Sequence, residues 1–184
     1  MAASVAATCE RRSFSAPDIE TVRKALHLAM EPREAALDDD HHPAFLHPGR
    51  VALVLLNDVD GAPAPAVVLG TLLESRDPQL RADSEKVAEA FGTQVADARS
   101  SVPAPGAPDL AERLVTLPPD IALGALAERL DHLRHEHLRE PVIPWATLVD
   151  EVSGVWLPVA ERASEALARR YRHWLRTFRR RARV

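Results

Sequence analysis

Three segments of the chain, VALVLLNDV (51–59), AVVLGTLLE (66–74) and IALGALAERL (121–130), are apolar on nearly every side. A segment without a polar face must be covered all round, so each belongs inside the fold. None can cross a bilayer as a helix. The longest uncharged apolar stretch, Gly61 to Leu73, has 13 residues and two prolines, against about 20 apolar residues for a span. No alternation of apolar and polar residues persists anywhere, and no internal repeat is present. Only 4% of residues are aromatic, so the core is built from Ala, Leu and Val, a composition that favours helices. The expected class is all-α.

At 184 residues the chain is long enough for one domain that buries roughly 70% of its unfolded surface. Residues 1–14 are expected to be disordered and residues 15–181 to form the domain. A helix is predicted from near Pro17, capped by Ser15, to Met30, where Pro32 stops it. Another starts near Pro48 and ends at the turn-forming NDVDG. Gly92 separates two short amphipathic helices, and PAPGAP (103–108) reads as a loop. Long helices are predicted from about Pro119 to Leu138 and from about Arg162 to Arg179.

One cysteine, Cys9, permits neither an internal disulfide nor a thiolate metal cluster. With no secretory leader legible in MAASVAATCERRSF, a cytoplasmic location is expected. The net charge of −4 conceals an asymmetry: the last 16 residues hold eight arginines and no acid, leaving the body at −12. Such a tail suits nucleic acid, an acidic partner, or the protein's own body. Tyr171, Trp174 and Phe178 fall on one helical face, which favours docking on the bundle over nucleic-acid binding. Association into a homodimer is left open.

Several stretches, taken in order, carry a resemblance. They are FLHPGRVALVLL (45–56), VVLGTLLESRD (67–77), VAEAFGTQVADARSSV (87–102), IALGALAERLDHLRH (121–135) and VWLPVAERA (155–163). Together they resemble the hydrolase domain of the RelA/SpoT family, within the HD superfamily of metal-dependent phosphohydrolases. The resemblance covers roughly residues 20 to 178, and it implies a helical HD-type bundle. In that family a histidine, an adjacent His-Asp pair and a later Asp hold a manganese ion that activates water for attack on phosphorus.

Carried over by position, the resemblance assigns the first histidine to His47, the His-Asp pair to Glu74 and Ser75, and the final Asp to Glu128. Ser75 lacks the anionic donor, so the implied set is His47, Glu74 and Glu128, a weak site for a divalent ion such as manganese. The family's catalytic Glu-Asp pair falls on Pro78 and Gln79, which cannot act as general acid or base. Asp77, one position early, is the one catalytic candidate. The family's basic stretch before the first histidine corresponds here to ALDDDHHPAF (36–45), whose aspartates repel phosphate. DDDHH (38–42) has metal-ligating residue types, and as a charge run in a loop it is read as solvated.

Glu128 sits on a helix that is apolar on both sides, so its carboxylate needs a partner. Arg129, Arg134, His47 or a metal could supply one. His132 and His135 lie on the same stripe and are expected at a helix end in partial contact with solvent. Ser75, Arg129 and His132 are therefore pocket or partner candidates. The resemblance with its lost carboxylates implies a non-catalytic nucleotide-sensing or protein-interaction module without a resident cofactor, its partner a guanine nucleotide or a protein. The alternative is a divergent metal-dependent phosphohydrolase acting on guanosine tetraphosphate or a similar nucleotide. Nucleic-acid binding through the arginine tail is a third reading.

Overall fold

The computed structural model describes residues 1–37, 43–138, 141 and 143–182, so the DDDHH stretch lies outside it. The chain is all-α. Its helices are α1 (Ala2–Arg11), α2 (Ala16–Met30), α3 (Leu46–Asp58), α4 (Ala64–Leu72), α5 (Ser84–Phe91), α6 (Thr93–Ser101), α7 (Leu110–Thr116), α8 (Pro119–His135), α9 (Trp145–Glu151), α10 (Leu157–Ala163) and α11 (Glu165–Ala182). A π-helical turn, Val152–Trp156, joins α9 to α10. Among the described residues there is no strand, only an isolated bridge between Leu37 and Pro43.

The start of α2 follows from its sequence. Ser15 has an extended backbone and its side chain accepts from the Asp18 amide, while Pro17 occupies the first turn, where no helical N–H is lost. The expectation of a disordered N-terminus is corrected by α1. Val5 and Cys9 are fully buried against the bundle, and α1 packs on α2 and α3. Burying two such side chains contributes roughly 2 kcal/mol each, enough to order a short helix that the sequence presents as featureless. Ser13, at positive φ, turns the chain from α1 into α2.

The three apolar segments form α3, α4 and the first part of α8, and they pack on one another. Helix α8 is buried without a break from Ala122 to Leu133, with α3, α4, α10 and α11 around it. Glycines set the closest approach. A Cβ on Gly124 would lie 3.0 Å from the Gly70 nitrogen and 3.2 Å from the Ala66 carbonyl. Backbone thus touches backbone where α4 crosses α8, and a side chain at Gly124 would press on the main chain of α4, whereas one at Gly70 would first meet the side chains of Leu55 and Val51 in α3.

Helix α11 closes the bundle with an apolar stripe. Leu167, Tyr171, Trp174 and Phe178 are buried at three- and four-residue spacing. The Tyr171 hydroxyl donates to the Leu126 carbonyl at 2.8 Å, and Trp174 Nε1 donates to the Leu133 carbonyl at 2.6 Å. Trp174 stacks on Phe178 with centroids 4.5 Å apart, and Trp145 meets the same ring edge-on at 5.6 Å. On the outer face Arg170 pairs with Asp58, and Arg172 pairs with Glu161 and Glu165. The aromatic stripe is docked, and these two tail arginines have acidic partners within the chain.

Candidate functional site

The site lies where the N-terminus of α3, the loop after α4 and the last two turns of α8 meet. Helix α4 ends as Leu73 turns extended, and Glu74 follows it. Its carboxylate folds back on its own loop, Oε1 accepting from the amides of Arg76 at 2.9 Å and Asp77 at 3.1 Å. From the other side Arg33 donates to Oε2 at 3.0 Å, with both side chains withdrawn from solvent. Arg33 also donates to the Ala29 carbonyl in α2. The loop is tied to α8 as well, because Glu128 Oε1 accepts from the Ser75 amide at 2.7 Å.

His47 is buried in the first turn of α3. Its Nδ1 lies 2.9 Å from Asp131 Oδ2, and Arg50 Nε donates to the same carboxylate at 3.0 and 3.1 Å. Burial, and the His132 ring beside it, hold the His47 pKa below its ordinary value. Neutral His47 therefore donates Nδ1–H to Asp131 and leaves Nε2 bare, 4.0 Å from Glu74 Oε2 and without a hydrogen bond. Burial opposes ionisation of Asp131, but His47 and Arg50 outweigh it and bring its pKa down to about 2.

His132 stacks on His47, ring centroids 4.3 Å apart and planes inclined by 21°. Its Nε2 lies 3.0 Å from Glu128 Oε1 and 3.2 Å from Glu74 Oε1, without the alignment of a hydrogen bond to either. Its Nδ1 lies 3.1 Å from Arg76 NH1. Burial alone would lower the His132 pKa; the two carboxylates, Glu128 foremost, reverse this and push it up to about 9. Glu74, despite its burial, is held well below the ordinary carboxylate range by His132, His47 and Arg33. Glu128 is shifted in the same direction, with His132 overcoming burial.

These groups border a cavity of about 300 Å³ lined by Arg33, His47, Arg50, Glu74, Arg76 and His132, with Leu37 and Leu80 at its apolar edge. His47, Glu74 and His132 each bring one ligand-type atom within 4.8 Å of the others, so on distance alone they could hold a metal ion. Among the described lining residues the guanidiniums of Arg33, Arg50 and Arg76 and the carboxylates of Glu74 and Asp77 surround the imidazoles of His47 and His132.

The structure brings together His47, Glu74, Ser75, Glu128 and His132. Ser75 contributes its backbone amide, while its hydroxyl is buried without a hydrogen bond. Asp77 borders the cavity, but its carboxylate caps the following turn by accepting from the Gln79 amide at 2.9 Å. Arg129 does not partner Glu128. It points to the far side of α8, where it donates to Glu151 at 3.1 Å and lies over the Trp156 ring. His132, expected in contact with solvent, is only 8% exposed, because the loop after α4 folds over it. His135 is half-buried, its Nδ1 2.9 Å from the Asp131 carbonyl.

Four functional groups were not singled out from the sequence: Arg33, Arg50, Arg76 and Asp131. Asp131 carried a faint signal, lying one helical turn beyond Glu128 on a largely apolar helix. The arginines carried none in a chain whose basic residues are almost all arginine. No family model matches the chain, and no curated protein matches it.

Proposed function

We propose that this protein is a non-catalytic binding module of HD-type architecture, whose cavity receives a small phosphate-bearing molecule of the guanine-nucleotide class and leaves it intact. The carrying observation is the state of Asp77. Hydrolysis of a phosphate ester by the route the resemblance implies needs a carboxylate poised to move a proton at the reacting atoms. Glu74, Glu128 and Asp131 are committed to buried contacts with arginines, histidines and backbone amides. Asp77, the remaining carboxylate among the described lining residues, is spent as a cap.

The phosphate class is supported by Arg33, Arg50 and Arg76 around one cavity, since planar guanidiniums match phosphate oxygens. The guanine-nucleotide class rests on the resemblance to RelA/SpoT hydrolase domains. The second reading, a metal-dependent phosphohydrolase, is favoured by one observation, the approach of His47, Glu74 and His132 to within 4.8 Å.

Calorimetric titration with guanosine tetraphosphate, alongside an assay for released pyrophosphate with and without manganese, separates the two. The expected result is saturable binding that Arg50→Gln weakens about tenfold, the worth of one charge-assisted hydrogen bond, with no pyrophosphate released. Steady turnover that Glu128→Ala abolishes would establish the second reading. Absence of saturable binding would remove the nucleotide from the first.

A further inference from the structure

We infer that Arg76 closes this pocket to metal ions, by fixing on His132 Nε2 the proton that a ligand atom must lack. The inference rests on the binding-module reading above and deepens it, since the cation of the site is then a side chain of the protein and not a bound ion.

The argument is one of donors and acceptors. A guanidinium has five N–H donors and no acceptor. Arg76 NH1 lies 3.1 Å from His132 Nδ1, so this contact is a hydrogen bond only when Nδ1 is the bare nitrogen. Neutral imidazole then carries its proton on Nε2, the atom turned towards Glu74 and Glu128. Below its pKa of about 9 His132 takes a second proton; that proton enters at Nδ1, Arg76 withdraws from it, and Nε2 still keeps its own. In both forms the atom facing the carboxylates is N–H, with no lone pair to give.

The two histidines differ at this point. His47 donates Nδ1–H to the carboxylate of Asp131, the arrangement that leaves Nε2 free to ligate and that commonly supports metal-bound histidines. Had His132 a carboxylate at position 76, it would be prepared in the same way. It has an arginine, which imposes the opposite tautomer. Arg33 adds to the effect by placing a second fixed cation on Glu74 Oε2, where a metal would meet like charge. By distance the donor set fits an ion; by protonation it does not.

The substitutions that test this are Arg76→Ala, which frees Nδ1, and Arg76→Glu, which offers it a carboxylate acceptor. Arg76 is half-buried in a loop, and retained unfolding midpoints would show that both variants fold. Binding of cobalt(II) is followed by its visible absorption, and zinc by competition. The expected order of affinity is Arg76→Glu above Arg76→Ala above the natural protein, with about 10- to 100-fold between the extremes, the usual range for such outer partners. Adding His132→Ala to Arg76→Glu should erase the gain. Nitrogen-15 spectra of the natural protein, recorded above the His132 pKa of about 9 where the ring is neutral, should show the proton on Nε2 and a bare Nδ1. Stoichiometric cobalt binding by the natural protein, variants that bind no better, or a bare Nε2 would each overturn the inference. None of these outcomes depends on guanosine tetraphosphate, so failure here and failure of the binding-module reading are separable.

Discussion

Arg33 and Glu74, 41 residues apart in sequence, meet in an ion pair of 3.0 Å in which neither side chain is more than 3% exposed. The pair fastens the end of α2 to the loop after α4. Burial works against the charge of Arg33, and Glu74 opposes that effect.

Removing one partner of such a pair strands the other. Arg33→Met is expected to destabilise the protein by about 3–5 kcal/mol, read from urea denaturation midpoints. Arg33→Met combined with Glu74→Gln should cost less than the sum of the two single changes, because the buried charge is gone from both sides. A loss below about 1 kcal/mol for the single variant would show that water or a neighbouring group already serves Glu74.

The two stacked histidines give stability opposite dependences on pH. His132 titrates at about 9 in the fold and near 6.5 when unfolded. Its contribution is therefore complete below pH 6.5 and is lost as pH rises towards 9, because the unfolded chain releases the proton first. The loss is about 3 kcal/mol at most. His47 is shifted down, so its contribution is lost as pH falls below 6.5. Unfolding midpoints in chelator-treated buffer should peak near pH 6.5, and His132→Gln should flatten the alkaline side. A profile level from pH 6.5 to 9 would contradict the stated environment of His132.

The crossing of α4 and α8 leaves no room for a methyl group. Gly124→Ala is expected to cost about 1–3 kcal/mol, the usual penalty for overpacking, since the atoms met are backbone and cannot step aside. A chain of normal stability with helix content unchanged would mean that the helices slide apart freely.

The parts of the fold legible in the sequence were those written in a single segment. The all-round apolar character of 51–59, 66–74 and 121–130 identified the interior, and Ser15 with Pro17 marked the start of α2. Helix α1 was illegible because its few buried residues acquire meaning only from the groove they fill. At the site, the registers of His47, Glu74 and Glu128 came from the resemblance, and the structure brings these three side chains together. The arginines escaped notice for a physical reason: Arg33 and Glu74 are joined by the path of the chain, and no local pattern announces a partner 41 residues away.

Deleting residues 171–184 removes Tyr171, Trp174 and Phe178 from the core. The expected loss exceeds about 3 kcal/mol, the low end for truncating one buried aromatic side chain, and should appear as a loss of cooperative thermal unfolding by circular dichroism. Tyr171→Phe is the mild counterpart, expected to cost about 1 kcal/mol for one hydrogen bond. An unchanged melting curve for the deletion would mean that α11 is an appendage.

Helix α11 grips α8 through the main-chain oxygens of Leu126 and Leu133. Such a grip is blind to side-chain identity along α8, so substitutions on the opposite face leave both hydrogen bonds available. The frame and the pocket of this molecule are thus set by different atoms: a change among the side chains of the pocket alters its chemistry while the main-chain grip of α11 on α8 stays as it was.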